Sequence, residues 1–576
     1  MKNQEIARIF YAIADILEMK EVQWKPNAYR KAARALESLS EDVEKIYKQG
    51  GLKALEEIPG VGKSIAEKIV EYLKTGKIKK YEKLKKSIPI NVEELMEIEG
   101  LGPKKIKLLY KKLKIKNIKD LEKAAKQGKI AKLPRMGEKT QENILKAIAF
   151  AKRAGQRKLL GYALPIANEI VDELKKLKEI NKIKICGSLA RKKETIGDID
   201  ILVTTNNPKK VMDYFTSMKN VKDVIAKGET KSTIVYNDIQ VDLRVVKPEN
   251  FGSAIQYFIG SKEHNVHLRK IAISKGYKLS EYGLFKGEKR VAGKTEEEIY
   301  KKLGMDWIPP ELREDRGEIE AAQKHKLPKL VDIKDIKGDL QMHTKYSDGS
   351  HTIKQMAETA KNMGHEYIAI TDHGGKLAIA HALKTQKEIS EQRKEIEKVS
   401  KEVGIKILHG VEVDINLDGT LAMSNKLLKN FDIVLAAIHT GLKRDKKQQT
   451  MRIIKAMENE YVNIIAHPTG RIINVREGYE LDFEKIFEIA KKTKTFLEIN
   501  AYPSRLDLND INIKAAIENG VMLSIGTDSH SKDHLRFIEL GVYTARRGWC
   551  QKKNTINTLS YKQLIKKLKK WFYGDC

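Results

Sequence analysis

The stretch Cys186-Gly-Ser-Leu-Ala-Arg191-Lys-Lys-Glu-Thr-Ile-Gly197-Asp198-Ile-Asp200-Ile-Leu-Val203 decides how the rest of the chain is read, together with Ile239-Gln-Val-Asp242-Leu-Arg-Val245 further on. Ile183, Ile185, Ile199, Ile201 and Val203 alternate with other residues, the pattern of a half-buried strand. Asp198 and Asp200 are two apart, so on a strand both carboxylates leave one face. Asp242 can join them from a neighbouring strand. Three carboxylates on one face repel unless divalent cations sit among them. Gly187 permits a close backbone approach and Ser188 offers a hydroxyl to a phosphate. These are the parts of two-metal phosphoryl transfer, in which ions about 4 Å apart stabilise the attacking and leaving oxygens.

Asp-x-Asp alone is common on solvated strands, and it is the surroundings that give it meaning. Gly187-Ser188, Arg191, Gly197-Asp-Ile-Asp200 and the third strand carboxylate resemble the nucleotidyltransferase palm of the family X DNA polymerases, and Tyr257-Phe258-Ile-Gly260-Ser261 with Asn265 and Arg269 fits the same family. The resemblance implies that Asp198 and Asp200 bridge two Mg²⁺ ions, which favour carboxylate, water and phosphate oxygens. It places Asp242 at the primer 3′-hydroxyl, and Gly187, Ser188 and Arg191 on the incoming dNTP. Tyr257, Phe258 and Gly260 would wall off a 2′-hydroxyl, Asn265 would reach the minor-groove edge, and Arg269 the template. Two positions depart from DNA polymerase beta: Gln240 and Ala163 stand where it has arginines.

The 576 residues are expected to form several domains. Lys and Arg number 110 against 78 Asp and Glu, a net charge of +32. A chain this basic most simply meets a polyanion, although a Lys/Glu-rich, thermophile-like surface accounts for part of the excess. Residues 1–150 hold 34 basic and 21 acidic side chains, more than their share, so the nucleic-acid surface is expected to begin there. Three cysteines without paired spacing point to a reducing compartment. No signal-like start or membrane-length apolar run is evident, which predicts a cytoplasmic, non-membrane protein, read as a monomer.

Ile6, Ile9, Phe10, Ile13 and Leu17 recur at helical spacing. Leu55-Glu-Glu-Ile58-Pro-Gly60-Val61-Gly62-Lys63 and Leu95-Met-Glu-Ile98-Glu-Gly100-Leu101-Gly102-Pro103 each open a helix, and Leu133-Pro-Arg-Met-Gly137 is a weaker third copy. Glycine turns at helix N-termini direct backbone N–H groups at phosphate, so Gly60, Gly62, Gly100 and Gly102 are expected to face DNA. This is the helix-hairpin-helix pattern, which grips the backbone without reading sequence. Family resemblance adds a monovalent cation, K⁺ or Na⁺, on backbone carbonyls near Ile58, Val61, Ile98 and Leu101. It also matches Lys68 to the Schiff-base lysine of DNA polymerase beta, and Lys25, Tyr29 and Lys80 to that protein's 5′-phosphate pocket. Ser64 replaces one lysine of that pocket, with Lys63 beside it.

Ile308-Pro309-Pro310 through Gly317 is proline-punctuated and charged, and reads as a boundary. It resembles the close of the polymerase half of the bacterial and archaeal PolX proteins. Beyond it, short apolar strands alternate with helices, and metal-binding residues follow the strands: His343, Asp348, His373, Glu412, His439, His467, Asp528 and His530. Functional side chains at strand ends are the mark of a βα barrel. Mixed His and carboxylate ligands suit Zn²⁺ or Mn²⁺. The set resembles the PHP phosphoesterase barrel with its three-metal site. PHP sites commonly open with His-x-His, where this chain has Gln341-Met-His343, so one metal position is expected to be weaker. His381 and His409 are read as bystanders.

The expected architecture is multidomain α+β and α/β. It comprises a lyase-like helical domain (1–86), a second helical domain (87–150), a palm with a mixed sheet (151–250), a nucleotide-selecting domain (251–315), a linker (316–335) and a PHP barrel (336–576). The expected activity is filling of short gaps in DNA carrying a 5′-phosphate, with a 3′-to-5′ exonuclease in the tail, and AP-endonuclease and deoxyribose-phosphate lyase activities in addition. The alternative is a DNA-end-binding scaffold with a silent palm and a PHP phosphatase.

Overall fold

The computed structural model describes residues 2–37, 43–58, 60–96, 98, 101–134, 136–154, 157–375 and 382–568. Gly100, His381 and Cys576 lie outside them. Among the described residues, no helix is long and apolar enough to cross a membrane.

The described residues up to 154 form helices and their connections, with two separate cores. Helices Lys2–Met19, Lys25–Glu37, Val43–Glu56, Lys63–Thr75 and Lys79–Lys86 close over Ile6, Phe10, Ile13, Leu36, Leu55 and Ile69. Ile16 and Met19, at the end of the first helix, belong to the second core, beside Leu95, Ile106, Leu109 and Leu121. One amphipathic helix thus joins both cores, which its periodicity of apolar residues permits.

The palm sheet runs in the order Ile180–Ile185, Asp198–Thr205, Ile239–Val245, Lys231–Tyr236, Val221–Lys227. Only Asp198–Thr205 and Ile239–Val245 are parallel; the other neighbours are antiparallel, so the sheet is mixed. A three-stranded sheet over residues 278–292 and the helices Phe251–Ile259 and Lys262–Ser274 follow.

The C-terminal half is a parallel barrel of Gly338–Asp339, Tyr367–Ile370, Lys406–Asp414, Ile433–Ala437, Ile464–Ile465, Phe496–Asn500 and Leu523–Gly526 in sequence order, with helices outside. A parallel bridge between Met342 and Ser529 brings the first and last strands together, so the barrel nearly closes. Apart from Lys406 its strands are buried, as continuous apolar runs such as Ile433-Val-Leu-Ala-Ala437 require.

Two packing features differ from a chain of separate domains. The stretch expected to be a linker is packed: helix Glu318–Gln323 sends Ile319 and Ala322 into the core around Leu268, Tyr300 and Leu303, and Val331 enters the barrel core. One of its charges is internal: His264 Nδ1 lies 2.7 Å from Glu318 Oε1 with both side chains buried. The palm core in turn includes Ile473, Leu506 and Leu540 from the barrel half. Each contributes roughly 1.5–3 kcal/mol through burial, so the two halves share one core at this joint.

Candidate functional site

In the palm, the register sets Asp200 opposite Asp242 and Asp198 opposite Gln240, so the three carboxylates meet across two parallel strands. Asp242 accepts from Thr233 Oγ1 at 2.8 Å and pairs with Lys231 Nζ at 2.5 Å. The Asp200 carboxyl is pushed up to about 6 by burial, then by the charges of Asp198 and Asp242. Each carboxylate raises the cost of ionising the next, and a divalent cation would remove that cost. Gly187 has φ +62° and a Cβ there would stand 2.2 Å from Asp200 Oδ2, so only glycine admits this carboxylate. The turn and the aspartate face are therefore fitted to each other.

Around them, Ser188 lies in the short helix Gly187–Ala190. Arg191 donates through Nε to Glu314 at 3.1 Å and through Nη1 to the Ile259 carbonyl. Gly260 turns at φ +49° after Tyr257 and Phe258, whose rings meet edge to face. Asn265 is turned inward: its amide donates to the Tyr257 carbonyl at 2.7 Å and accepts from Gln256 at 2.8 Å. It braces the aromatic turn instead of pointing outward. Arg269 Nε donates to the Asn265 carbonyl.

The helical region repeats one turn three times. Val61 N–H donates to Ile58 O, Leu101 N–H to Ile98 O and Met136 N–H to Leu133 O, at 2.9, 3.0 and 3.0 Å. Gly60 takes φ +85°. Gly62 and Gly102 cap the following helices with no side-chain bond, leaving backbone N–H groups for a phosphate. Tyr29, Lys68 and Lys80 come together although distant in sequence. Lys80 Nζ sits 5.0 Å from the Tyr29 ring centre and is pulled down by burial. Burial pushes the Tyr29 hydroxyl up, against Lys68 beside it. Lys68 Nζ donates to Ser64 O and Oγ at 2.6 and 3.0 Å. Lys25 is exposed one turn before Tyr29.

In the barrel, all eight residues expected to bind metal fall in three groups that share members. His343, Asp348, His373 and His530 form one; Glu412, His439 and His467 a second; His343, Glu412 and Asp528 a third, with ligand atoms in each group within 4.8 Å of one another. His343 Nε2 is 3.2 Å from both Glu412 and Asp528, and His530 Nε2 3.3 Å from Asp348. Against the penalty of burial, the nearby imidazoles of His373, His343, His439 and His467 hold Glu412 well below the usual carboxylate range. The residues fit divalent ions. Both ring nitrogens of buried His343, and Nδ1 of His373 and His467, lack a hydrogen-bond partner. His439 Nδ1 is fixed by Asp414 at 2.5 Å and His530 Nδ1 by the Asp528 carbonyl at 2.7 Å, which aims each Nε2 inward. Gln341 is fully buried and donates to Glu412 Oε2 at 3.0 Å.

Several site residues escaped the sequence reading. Glu498 is buried on strand Phe496–Asn500, pushed well above the carboxylate range by burial and then by Asp528. Asn500 donates to Glu498 and Asp528, and Arg505 Nε lies 3.5 Å from Asp528. A carboxylate near the end of an apolar strand, as at Glu412, was the available signal for Glu498.

Models of known families match along the chain: a helix-hairpin-helix domain over residues 1–78, a SAM-like helix-hairpin-helix tandem over 92–149, the DNA polymerase beta palm over 163–270 and thumb over 254–314, and the PHP domain over 339–502. The DNA polymerase/3′-5′ exonuclease PolX of Bacillus subtilis is 38% identical over 99% of this chain and 100% of its own length. The chain belongs to the PolX family. Over part of the chain, rat DNA polymerase lambda is 25% identical over 54% of this chain and 56% of its own, and a probable phosphatase of Thermoanaerobacter is 35% identical over 35% of this chain and 82% of its own. PolX architecture thus accounts for both the aspartate face and the histidine-rich barrel.

Proposed function

We propose that this PolX chain is a DNA-directed DNA polymerase that fills short gaps in repair, and that its barrel is a metal-dependent 3′-to-5′ exonuclease. The observation that carries the reading is the register of Asp198, Asp200 and Asp242 around the Gly187 turn. Divalent ions held there supply charge stabilisation to attacking and leaving oxygens; Mg²⁺ is the ion whose preferences these carboxylates match. Ser188 and Arg191 take the triphosphate, and Tyr257, Phe258 and Gly260 exclude a 2′-hydroxyl. Asn265 supports that wall, and Arg269 faces the template.

The barrel groups would hold Mn²⁺ or Zn²⁺, which when bound activates a water against the 3′-terminal phosphodiester. DNA is gripped by the turns at Gly60, Gly62 and Gly102, with K⁺ or Na⁺ on the carbonyls near Ile58, Val61, Ile98 and Leu101. Lys25, Tyr29 and Lys80 receive the 5′-phosphate of a gap, and Lys68 is the Schiff-base nucleophile of a lyase activity. Such a nucleophile needs a neutral amine, which crowding by other cations favours.

The test is extension and digestion of one labelled, gapped duplex with Mg²⁺ or Mn²⁺, using the full chain. Both extension and shortening are expected. The similarity of the barrel to a probable phosphatase gives a second reading for that half: release of phosphate from monoesters without any shortening of DNA ends would select it.

A further inference from the structure

The pocket for the triphosphate is not built from the polymerase half alone. Arg191 and Arg547 both donate to one oxygen, Glu314 Oε1, at 3.1 and 3.0 Å. Arg547 Nη1 also donates to the Arg191 backbone carbonyl at 2.7 Å. Its Nη2 pairs with Asp510 at 2.6 Å, an aspartate that Arg316 shares at 3.0 Å. Arg547 comes from helix Ile538–Arg547, whose Leu540 lies in the palm core. The side chains of Arg191, Glu314 and Arg547 are 12%, 9% and 5% exposed, so these bonds are formed away from bulk water.

Sharing has a direction. Glu314 faces three cations, Arg191, Arg547 and, at 3.9 Å, Lys193. Among the described residues, Arg191 Nη2 carries no hydrogen bond, while Nε is held by Glu314 and Nη1 by the Ile259 carbonyl. A carboxylate left to Arg191 and Lys193 would hold the guanidinium more strongly against a phosphate. A carboxylate divided with Arg547 holds it less, and Arg547 meanwhile fixes the backbone from which Arg191 projects. Removing one partner of a buried ion pair leaves a charge uncompensated, so Glu314 without Arg547 would be left to Arg191 and Lys193.

We propose that Arg547 of the PHP half is a positioning residue for dNTP binding in the palm: by sharing Glu314 and anchoring the Arg191 carbonyl, it keeps the Arg191 guanidinium available to the triphosphate. This rests on the reading of Arg191 as a triphosphate contact. Glu314 stays ionised in the arrangement, because against the penalty of burial Arg547, then Arg191 and Lys193, hold it below the usual carboxylate range.

Single-turnover gap filling with the full chain tests the proposal, since it separates the apparent Kd for dNTP from the maximal rate. Arg547→Ala is expected to weaken dNTP binding about tenfold, with little change in maximal rate and unchanged exonuclease. Arg547→Lys keeps a charge but loses the planar fork, and is expected to fall between. Arg547→Ala/Glu314→Gln should bind dNTP more tightly than Arg547→Ala, because the clamp on Arg191 is removed; a merely structural role predicts the opposite. Should Arg547→Ala fail to fold, Arg547→Lys with and without Glu314→Gln gives the same comparison. Arg191→Ala is the control. If it weakens dNTP binding and the Arg547 variants do not, or if adding Glu314→Gln worsens binding, the proposal is overturned and the pocket stands. If Arg191→Ala itself leaves dNTP binding unchanged, the pocket reading falls and the proposal with it.

Discussion

Replacing Asp200 by asparagine should make the metal-free protein more stable while abolishing synthesis. Burial and the neighbouring Asp198 and Asp242 raise the Asp200 carboxyl from 3.8 to about 6. At about 1.4 kcal/mol for each pH unit, ionising it in the folded palm costs up to about 3 kcal/mol. Because the folded value is raised, the folded state holds the proton longer than the unfolded one. The penalty is absent below pH ~4, grows as pH rises through the folded value, and is complete above pH ~7. Asparagine never carries it, although an imperfectly bonded amide subtracts part of the gain. Chemical denaturation of the full chain, in EDTA, should therefore find Asp200→Asn about 1–3 kcal/mol more stable than wild type at pH 8, and no more stable near pH 4. Mg²⁺ should narrow the gap at pH 8, because it binds the native wild-type site. Gap filling by the variant should be lost, with DNA binding and the exonuclease kept. A pH-independent difference, a less stable variant at pH 8, or near-normal synthesis would refute the reasoning.

DNA affinity should be electrostatic: neutralising about six phosphates predicts a loss of roughly 10³-fold between about 50 and 200 mM salt, and a filter-binding titration with a flat salt response counts against the hairpin grip. Reductive trapping on an incised abasic site should give a covalent adduct that Lys68→Ala removes; persistence would move the chemistry to Lys63 or the N-terminal amine. His343→Ala or Asp528→Ala should end Mn²⁺-stimulated shortening of 3′ ends while gap filling survives, and loss of both activities would mean that the substitution had damaged the shared core. Gln341→His should raise the metal content found by elemental analysis, since imidazole is a better ligand than an amide for Mn²⁺ or Zn²⁺; unchanged content would make Gln341 a spectator.

What could be read in the sequence was what local spacing encodes. Asp198 and Asp200 share a face because strands repeat every two residues, and the barrel ligands follow apolar strands because a parallel barrel collects its strand ends at one rim. Glu498 was hidden because a carboxylate inside Phe-Leu-Glu-Ile-Asn also reads as a solvated position; only the barrel geometry brings it beside Asp528. The packing of the stretch around Glu318 is not legible in the sequence, because Pro309, Pro310, Gly317 and a run of charges are also what exposed tethers contain. Its glutamate is instead satisfied internally by His264 and by the backbone N–H groups of Asp315 and Arg316. For Asn265, expected at the minor-groove edge, no spacing rule reveals that Gln256 and the Tyr257 carbonyl bond both ends of its amide.

The joint between the halves bears on how the two activities can be separated. Ile473, Leu506 and Leu540 complete the palm core, and Gly161 packs so closely that a Cβ there would stand 2.8 Å from Pro503. Arg471 adds a salt bridge to Glu194 at 2.7 Å, and Asn474 donates to the Arg157 carbonyl. Removing the barrel would expose this apolar surface, forfeiting roughly 1.5–3 kcal/mol for each of the three side chains, and would leave Glu314 without Arg547. Loss of synthesis on truncation therefore carries no information about whether the exonuclease site takes part in polymerisation. Substitutions confined to the barrel rim, at His343 or Asp528, leave the joint intact and do separate the two. The shared core alone gives a reason for the barrel to be fused to the polymerase, whatever passes between the two sites: the barrel is a wall of the palm as well as an enzyme.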